Sequence, residues 1–217
     1  MNSLPEKTIE RLSVYRRTLL NCLYEGKEYI YSHEIANLHN ITAVQVRRDI
    51  MLIGYSTTLK KGYDVRALIE LIGEILDAQK GLNVAVVGIG NLGRAITAYF
   101  RGKRSKLQIV AAFDTDPEKI GRVISGVKCY SMSDLQQIID EKQISVAILT
   151  VPPDYADKVS EALVFSGIKG ILNYTSVPVN ISSEIVLENY DMTTSLEKVA
   201  YYVKQKLGDN RKVFTKE

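Results

Sequence analysis

Three glycines with the spacing G-x-G-x-x-G stand at Gly88, Gly90 and Gly93, and this spacing is suited to holding a pyrophosphate. They follow the apolar run 84–87, which is typical of a buried strand. A strand that turns sharply into a helix brings bare backbone N–H groups and the helix N-terminus up to a phosphate. We therefore predict that this turn binds a dinucleotide, through residues Gly88, Ile89, Gly90, Asn91, Leu92 and Gly93.

An acidic residue ends the next predicted strand. Asp114 lies 21 residues beyond Gly93 and directly follows the apolar segment 107–113. A carboxylate at this place can accept hydrogen bonds from the adenosine ribose and repels a 2′-phosphate, which favours NAD and NADH over the phosphorylated cofactors. Lys119 and the basic residues between 94 and 106 argue the other way, but we interpret most of that cluster as a solvated helix end.

Further cofactor contacts are predicted at two other places. The third strand of the pattern ends in Thr150, Val151 and Pro152, where the crevice of such a sheet opens. We expect Thr150 to contact the cofactor, and a rigid loop that only ends the strand is the alternative. Tyr99 lies on the first helix after the glycines and is either a core residue or a cofactor contact.

A basic helix is predicted near the N-terminus. Thr42 can cap it, and apolar residues at Val46, Ile50 and Ile53 give it a buried stripe. Polar side chains project on the opposite side, where arginine can pair with guanine and glutamine with adenine in the major groove of DNA. The residues predicted to contact DNA in this way are Gln45, Arg47 and Arg48. A solvated basic helix in an accessory domain is the alternative.

These candidates require two kinds of scaffold. Before residue 80 the pattern predicts helices over 5–25, 32–38 and 42–53, a hairpin-like stretch over 57–65 and a helix over 65–76. Ser32 is predicted to cap the second of these helices. That order indicates a winged helix-turn-helix of class α+β, with Lys60 and Lys61 at the wing tip placed to contact phosphates. From residue 84 strands alternate with helices of 10–15 residues, which predicts an α/β, Rossmann-like, doubly wound parallel sheet.

The predicted domains are therefore a winged-helix domain over 1–80, a nucleotide-binding domain over 81–192, and a terminal helix with its tail over 193–217. The net charge of the chain is +3, and the first 66 residues carry all of it, with 10 Lys and Arg against 7 Asp and Glu. This excess indicates which part would meet a polyanion. Cys22 and Cys129 are expected to be buried, reduced thiols.

Several classes of protein are disfavoured by what the sequence lacks. No apolar run approaches the length of a membrane span, and the N-terminus has no signal-peptide pattern, so we expect a cytoplasmic protein without membrane contact. A dehydrogenase would need a proton-transfer group beside the nicotinamide, yet both histidines, His33 and His39, precede residue 80. We predict no catalytic residues and no metal site. An NAD-dependent oxidoreductase, a CoA-binding or nucleotide-binding module with an accessory basic domain, and a sensor that binds a protein partner are the alternatives.

Taken together, these segments resemble the Rex family of bacterial redox-sensing transcriptional repressors. The resemblance covers nearly the whole chain and is carried by RLSVYRR at 11–17, VRRD at 46–49, KGYDV at 61–65, GIGNLG at 88–93, FDTDPEKIG at 113–121, LTVP at 149–152 and GIKGILN at 167–173. The chain departs from the family between residues 51 and 62, where members have an aromatic-rich turn with several glycines. That departure implies a different wing geometry.

The resemblance implies a homodimer that binds a palindromic DNA operator and releases it when NADH binds, while NAD⁺ competes without triggering release. It implies that each terminal helix is swapped between the partner's two domains. It also implies an allosteric switch, made by a tyrosine near the nicotinamide, an arginine on the first helix and an aspartate before the swapped helix. By motif these residues are Tyr99, Arg17 and Asp191.

Overall fold

The computed structural model describes residues 4–56, 61–102 and 106–213, with side chains described as far as residue 207. The chain divides into two compact units, Met1–Gln79 and Lys80–Glu217. The first unit is built around one cluster of buried apolar residues, and the second unit around two, one on each face of its sheet.

The described part of the first unit contains helices and a small antiparallel sheet. The helices are α1 (Glu6–Tyr24), α2 (Ser32–His39), α3 (Ala43–Leu52) and α4 (Val65–Leu76), and the strands are β1 (Tyr29–Ile30) and β2 (Tyr63–Asp64). The sequence predicts a hairpin within 57–65, but its residues 57–60 lie outside the described residues. Instead, β2 pairs with β1, which joins the segment after α3 to the segment before α2.

The caps of α2 and α3 explain where these helices begin. Thr42 caps α3 as predicted, because its side chain accepts a hydrogen bond from the Gln45 N–H at 3.1 Å. The prediction that Ser32 caps α2 is wrong by one position, since Ser32 is already the first helical residue. The cap residue is Tyr31, whose N–H donates to the Glu34 carboxylate at 2.7 Å.

The second unit is organised around one sheet. Its elements are β3 (Leu82–Val87), α5 (Asn91–Phe100), β4 (Leu107–Asp114), β5 (Val123–Ile124), β6 (Val127–Ser131), α6 (Leu135–Glu141), β7 (Ile144–Leu149), α7 (Ala156–Phe165), β8 (Gly170–Asn173), β9 (Val186–Asn189) and α8 (Met192–Val213). Short 3-10 turns precede α6 and α7. The sequence predicts strands over 84–88, 107–113, 145–150 and 169–173, which match β3, β4, β7 and β8, and a short hairpin or strand near 127–130, which matches β6. It does not predict β5 or β9.

The strands lie in the order β5-β6-β4-β3-β7-β8-β9, and every neighbouring pair is parallel except β5 with β6. The chain moves outward from β3 in one direction and then from β7 in the other. The carboxyl ends of β3 and β7 therefore flank the topological switch point at which doubly wound sheets bind their ligands. This order confirms the predicted Rossmann-like class.

Helices cover both faces of this sheet. Successive residues of β3 alternate between two buried clusters, with Ala85 and Val87 in one and Val84 and Val86 in the other. The first cluster is closed by residues of α6 and α7, and the second by Ile96 of α5. A parallel sheet covered on both faces has strands that are apolar throughout, which is why the run 84–87 reads as continuous.

The terminal helix α8 exposes most of its described apolar side chains. These are Leu196, Val199, Tyr201, Tyr202, Val203 and Leu207, with exposures from 49% to 69%. Asp191 precedes the helix and caps it, because its carboxylate accepts from the N–H groups of Thr193 at 2.8 Å and Thr194 at 3.1 Å. Among the described residues, no helix is long and apolar enough to cross a membrane.

Candidate functional site

A cleft of about 650 Å³ lies beyond the carboxyl ends of β3, β4 and β7. This is the position that the topological switch point predicts for a ligand site. Eight of the eleven residues predicted to bind a cofactor line it, and they are Gly88, Gly90, Asn91, Leu92, Asp114, Thr150, Val151 and Pro152. The cleft therefore brings together the three segments that the sequence singled out.

The three glycines of the loop serve different purposes. Gly88 has φ +93°, and a Cβ there would lie 2.8 Å from the Thr150 carbonyl oxygen. A Cβ on Gly93 would overlap the Gly88 carbonyl oxygen, so this glycine lets α5 pack against the loop. Around Gly90, by contrast, no described atom other than those of its own chain neighbours lies within 4 Å of the place a Cβ would take. That open space at the start of α5 fits a phosphate group.

Thr150 holds the loop from the neighbouring strand. Its hydroxyl donates to the Gly88 carbonyl oxygen at 2.7 Å and lies 3.0 Å from the Val87 carbonyl oxygen. Thr150 thereby fixes the end of β7 against the end of β3. Ile89 differs from the prediction, since it is not among the described residues that line the cleft: its side chain is fully buried in the core, and its N–H donates to the Asp114 carboxylate.

Asp114 is a prearranged hydrogen-bond acceptor. Its carboxylate accepts from the Ile89 N–H at 2.8 Å, from the Asp116 N–H at 2.9 Å and from the Lys119 ammonium at 3.1 Å. Burial alone would raise the pKa of Asp114, but these hydrogen bonds and the nearby ammonium outweigh burial and lower it. The carboxyl group is therefore charged, as a ribose acceptor must be.

Lys119 is held by acidic groups and does not stand free in the cleft. Its ammonium lies 3.1 Å from the Asp114 carboxylate and 3.4 Å from that of Asp116. The three side chains together carry one net negative charge. This arrangement removes the argument that Lys119 favours a 2′-phosphate, because the two carboxylates already balance its charge.

The prediction missed several residues that line the cleft. Thr115 and Asp116 directly follow β4, while Met132, Tyr155 and Val159 come from the segments after β6 and β7. A rule that takes the first residues after each parallel strand would have found most of them. Val159 lies further along, on α7, and no local signal in the sequence marks it.

Tyr99 lies outside the lining set of the cleft as far as the described residues define it, and its side chain is 57% exposed on α5. Its ring meets that of Phe100 edge-on, with centroids 5.2 Å apart. Burial raises the pKa of Tyr174, and the neighbouring Tyr190 and Tyr99 raise it further. Tyr99 is therefore a largely exposed member of a tyrosine group with Tyr174 and Tyr190, and it is not a core residue.

The second candidate site is the exposed face of α3. Five side chains form one open surface there, namely Val44, Arg47, Arg48, Met51 and Leu52. We call this set the α3 face. Both predicted arginines are exposed on it, and Arg47 also donates to the Ser32 hydroxyl at the start of α2, at 3.2 Å. Val44 and Met51 were not predicted to belong to this surface.

Gln45 corrects the prediction for this helix. Its side chain is half-buried, and its amide donates to Asp49 at 2.9 Å instead of projecting with the arginines. The helical-wheel argument failed because Asp49, a charged residue, belongs to the buried stripe with Val46 and Ile50. The amide of Gln45 is directed towards that buried carboxylate.

Asp49 is fully buried and joins α3 to α1. Arg11 donates two hydrogen bonds to its carboxylate, at 2.6 and 2.8 Å, and the Tyr15 hydroxyl donates a third at 2.9 Å. Burial opposes ionisation of this carboxyl group, but the hydrogen bonds from Arg11, Tyr15 and Gln45 lower its pKa. This network sets the orientation of α3 and was not predicted.

The wing and switch candidates are placed less completely. Lys60 lies outside the described residues, while Lys61 is exposed with its ammonium 5.9 Å from the centre of the Tyr29 ring. Arg17 is exposed on α1. Burial is the main cause that lowers the pKa of His39, and the positive charge of Arg17 lowers it further. Asp191 is exposed, and its carboxylate is engaged in capping α8. Within the described residues, no group of His, Cys, Asp and Glu could hold a metal ion.

Two family models match the chain. Residues 79–177 match a model described as a CoA binding domain, and residues 3–50 match one described as the N-terminus of a putative DNA-binding protein. Both matches agree with the division into two units. The first includes the glycine loop and Asp114, and the second includes most of α3.

Curated relatives match over nearly the whole chain. The redox-sensing transcriptional repressor Rex of Lactobacillus acidophilus is 36% identical over 92% of this chain and 95% of its own length. Rex of Lactobacillus gasseri is 35% identical over 96% of this chain and 98% of its own length. Rex of Listeria welshimeri is 34% identical over 92% of this chain and 93% of its own length.

Solved structures of a Rex-family repressor, RSP, are similar in fold. The complex of RSP with β-NAD⁺ and operator DNA has a TM-score of 0.88 and 28% identity, covering 100% of both chains. The complex of RSP with β-NADH has a TM-score of 0.84 and 28% identity, covering 97% of this chain and 99% of the other.

Proposed function

The chain belongs to the Rex family of redox-sensing transcriptional repressors, and we propose that it represses transcription from a palindromic DNA operator and is released when NADH binds. The observation that carries this proposal is the pairing of a nucleotide cleft in one unit with an exposed basic helix in the other. The relatives are named as repressors, and RSP has been crystallised with NADH and with NAD⁺ and operator DNA. The chain is a regulator and not an enzyme.

The cleft residues fit NADH and NAD⁺. The pyrophosphate would lie at the open space beside Gly90, where the backbone of the loop and the N-terminus of α5 present N–H groups. Asp114 would accept hydrogen bonds from the ribose, and Thr150, Val151 and Pro152 would border the cofactor further along the cleft. When bound, the nicotinamide supplies the redox signal. The acidic ribose site opposes a phosphorylated ribose, so it does not favour CoA. An NAD-dependent oxidoreductase would make the same cofactor contacts, and it is disfavoured because the relatives are named as repressors.

The DNA contacts are proposed on the α3 face and the wing. Arg48 is exposed on the side of α3 opposite the core and would reach base edges in the major groove. Arg47, beside the start of α2, would take a phosphate or a second base, and Lys60 and Lys61 would contact phosphates. Gln45 contributes indirectly, by its hydrogen bond to Asp49.

A palindromic operator requires a protein with matching twofold symmetry, so the functional species is a homodimer. The exposed apolar side chains of α8 support the proposal that this helix is swapped between protomers, because a second copy would cover them. A repressor of this kind works where the chromosome and the NADH pool are, in the cytoplasm.

For the switch, we infer that Tyr99 senses the nicotinamide end and that Arg17 pairs with Asp191 of the partner protomer in one arrangement of the dimer. A charge-assisted contact that exists in only one arrangement can bias two states. To move the operator complex from almost fully bound to almost fully free, NADH must prefer the released arrangement by about 5.5 kcal/mol over all its sites.

The experiment is a titration of labelled palindromic operator at fixed salt, with NADH and NAD⁺ compared. Wild-type protein should release the duplex with NADH and retain it with NAD⁺. Arg48→Ala should lose operator binding and keep the wild-type NADH affinity in calorimetry. Gly90→Ala, whose added methyl group would fill the open space of the loop, should lose NADH affinity and keep operator binding.

Equal effects of NADH and NAD⁺ on the operator complex would refute the redox-sensing role. Loss of both binding activities in Arg48→Ala would show that this residue is structural and does not contact DNA. Loss of both in Gly90→Ala would show that the loop holds the fold and not a ligand.

A further inference from the structure

Two large apolar side chains stand beside the arginines of the α3 face. Val44 is 64% exposed and Met51 is 74% exposed, although such side chains normally lie in a protein core. Val44 precedes Arg48 by four residues and Met51 follows it by three, so the three side chains share one stripe of the helix. They point away from the cluster that Val46 and Ile50 enter.

We propose that Val44 and Met51 contact thymine methyl groups in the major groove, on either side of the base pair that Arg48 contacts, and thereby select thymine there. The inference rests on the proposed DNA-binding function. Thymine is the base that presents a methyl group in the major groove, and apolar side chains distinguish it by contact with that methyl. Arg47 and Arg48 interleave this apolar stripe with positive charge, which suits a polyanion and not an apolar protein surface.

The geometry of a helix limits where these thymines would stand. Side chains one turn apart on a helix surface have Cβ atoms separated by about 5–6 Å. Successive base pairs rise by about 3.4 Å along the duplex. Each selected thymine therefore lies within about two base pairs of the guanine bound by Arg48. Val44 is in the first turn of α3, the end that enters the groove most deeply in helix-turn-helix proteins, so its effect should exceed that of Met51.

The test uses the full-length protein and the tightest-binding duplex that it recovers from a random-sequence pool. Each thymine of a half-site is replaced in turn by deoxyuridine, which lacks only the methyl group, and affinity is measured by fluorescence anisotropy at fixed salt. At one or two thymines near the guanine, the wild-type protein should lose about fourfold in affinity per methyl removed. Val44→Ala and Met51→Ala should each lose this discrimination at one of these thymines. Each variant should then bind the duplex with deoxyuridine at that position as tightly as the duplex with thymine there.

The matched control is Leu38→Ala, which removes a side chain of similar exposure, 62%, from α2. It should bind both duplexes as the wild type does. If the wild type selects no duplex, the proposed function itself fails. If it binds tightly but never distinguishes thymine from uracil, or if both alanine variants keep the distinction, DNA binding stands and this inference is wrong. The inference would also be overturned if Leu38→Ala lost the distinction between thymine and uracil to the same extent as Val44→Ala.

Discussion

Replacing Asp49 by alanine should destabilise the first unit far more than the loss of an exposed carboxylate would. The carboxylate is fully buried and accepts hydrogen bonds from Arg11, Tyr15 and Gln45. Removing one partner of a buried ion pair costs about 3–5 kcal/mol, because the other charge is left uncompensated. The Arg11 side chain is 26% exposed, so water can partly solvate its charge, and we expect the lower end, about 3 kcal/mol.

Native-state hydrogen exchange with mass spectrometry measures this loss within the first unit. Peptides from α1 and α3 should lose about two orders of magnitude in protection, while peptides from β3 should not change. Asp77→Ala is the matched control, because Asp77 also accepts two hydrogen bonds from an arginine of α1, Arg16, at 2.8 and 2.7 Å. The side chains of Arg16 and Asp77 are both partly exposed, so Asp77→Ala should lower the free energy of unfolding by only about 1 kcal/mol.

The same network gives a dependence on pH. Folding lowers the pKa of Asp49, so its ionised carboxylate adds to the free energy of unfolding. This stabilisation is fully present above the unfolded pKa of about 3.9 and is lost as pH falls through the pKa of the folded state. Acidification below about pH 4 should therefore reduce the difference in the free energy of unfolding between the wild type and Asp49→Asn. Equal losses in Asp49→Ala and Asp77→Ala at neutral pH, or a difference that does not narrow in acid, would refute the reasoning.

Three further predictions concern the wing, the cofactor and the switch. Gly62→Ala places a Cβ 2.7 Å from the Ile30 carbonyl oxygen at φ +93°, so it should weaken operator binding in anisotropy and leave NADH calorimetry unchanged. Asp114→Asn should lower the ratio of NADH to NADPH affinity at least about tenfold, since the repelling charge is gone, and an unchanged ratio would contradict its role. Asp191→Asn keeps a side chain that can cap α8, whereas Asp191→Ala does not. Loss of NADH-induced release in both variants would show that the negative charge of Asp191 is needed. Loss in Asp191→Ala alone would show that only the helix cap is needed.

Elements with strong periodicity were predictable from the sequence. Helix α4 was predicted over 65–76 and is found at Val65–Leu76, because its apolar residues repeat at helical spacing up to Asp77. Strand β9 was missed because it lies at the edge of the sheet, and its four residues, Val186–Asn189, are mostly exposed. An edge strand with so few buried positions shows no alternation for sequence reasoning to detect.

The site was predictable where a backbone conformation dictates the residue. Gly88 must have a positive φ and Gly93 must lack a Cβ, so the motif alone located the loop. Asp49 could not be placed in the same way, since its position depends on Arg11 and Tyr15, which lie 38 and 34 residues away along the chain. The orientation of Gln45 depends in turn on its hydrogen bond to Asp49. Pairing between distant polar groups leaves no periodic trace.

The hydrogen bond between the Ile89 N–H and Asp114 has a consequence for what a nucleotide sensor can measure. It makes the ribose acceptor a structural support of the phosphate loop, so both are ordered when the protein folds and not when a ligand arrives. The adenosine and pyrophosphate parts are the same in NADH and NAD⁺, and a rigid half-site stabilises both by the same amount. That contribution cancels when the two compete, and the occupied state then follows the ratio of the two nucleotides over a wide range of their total concentration.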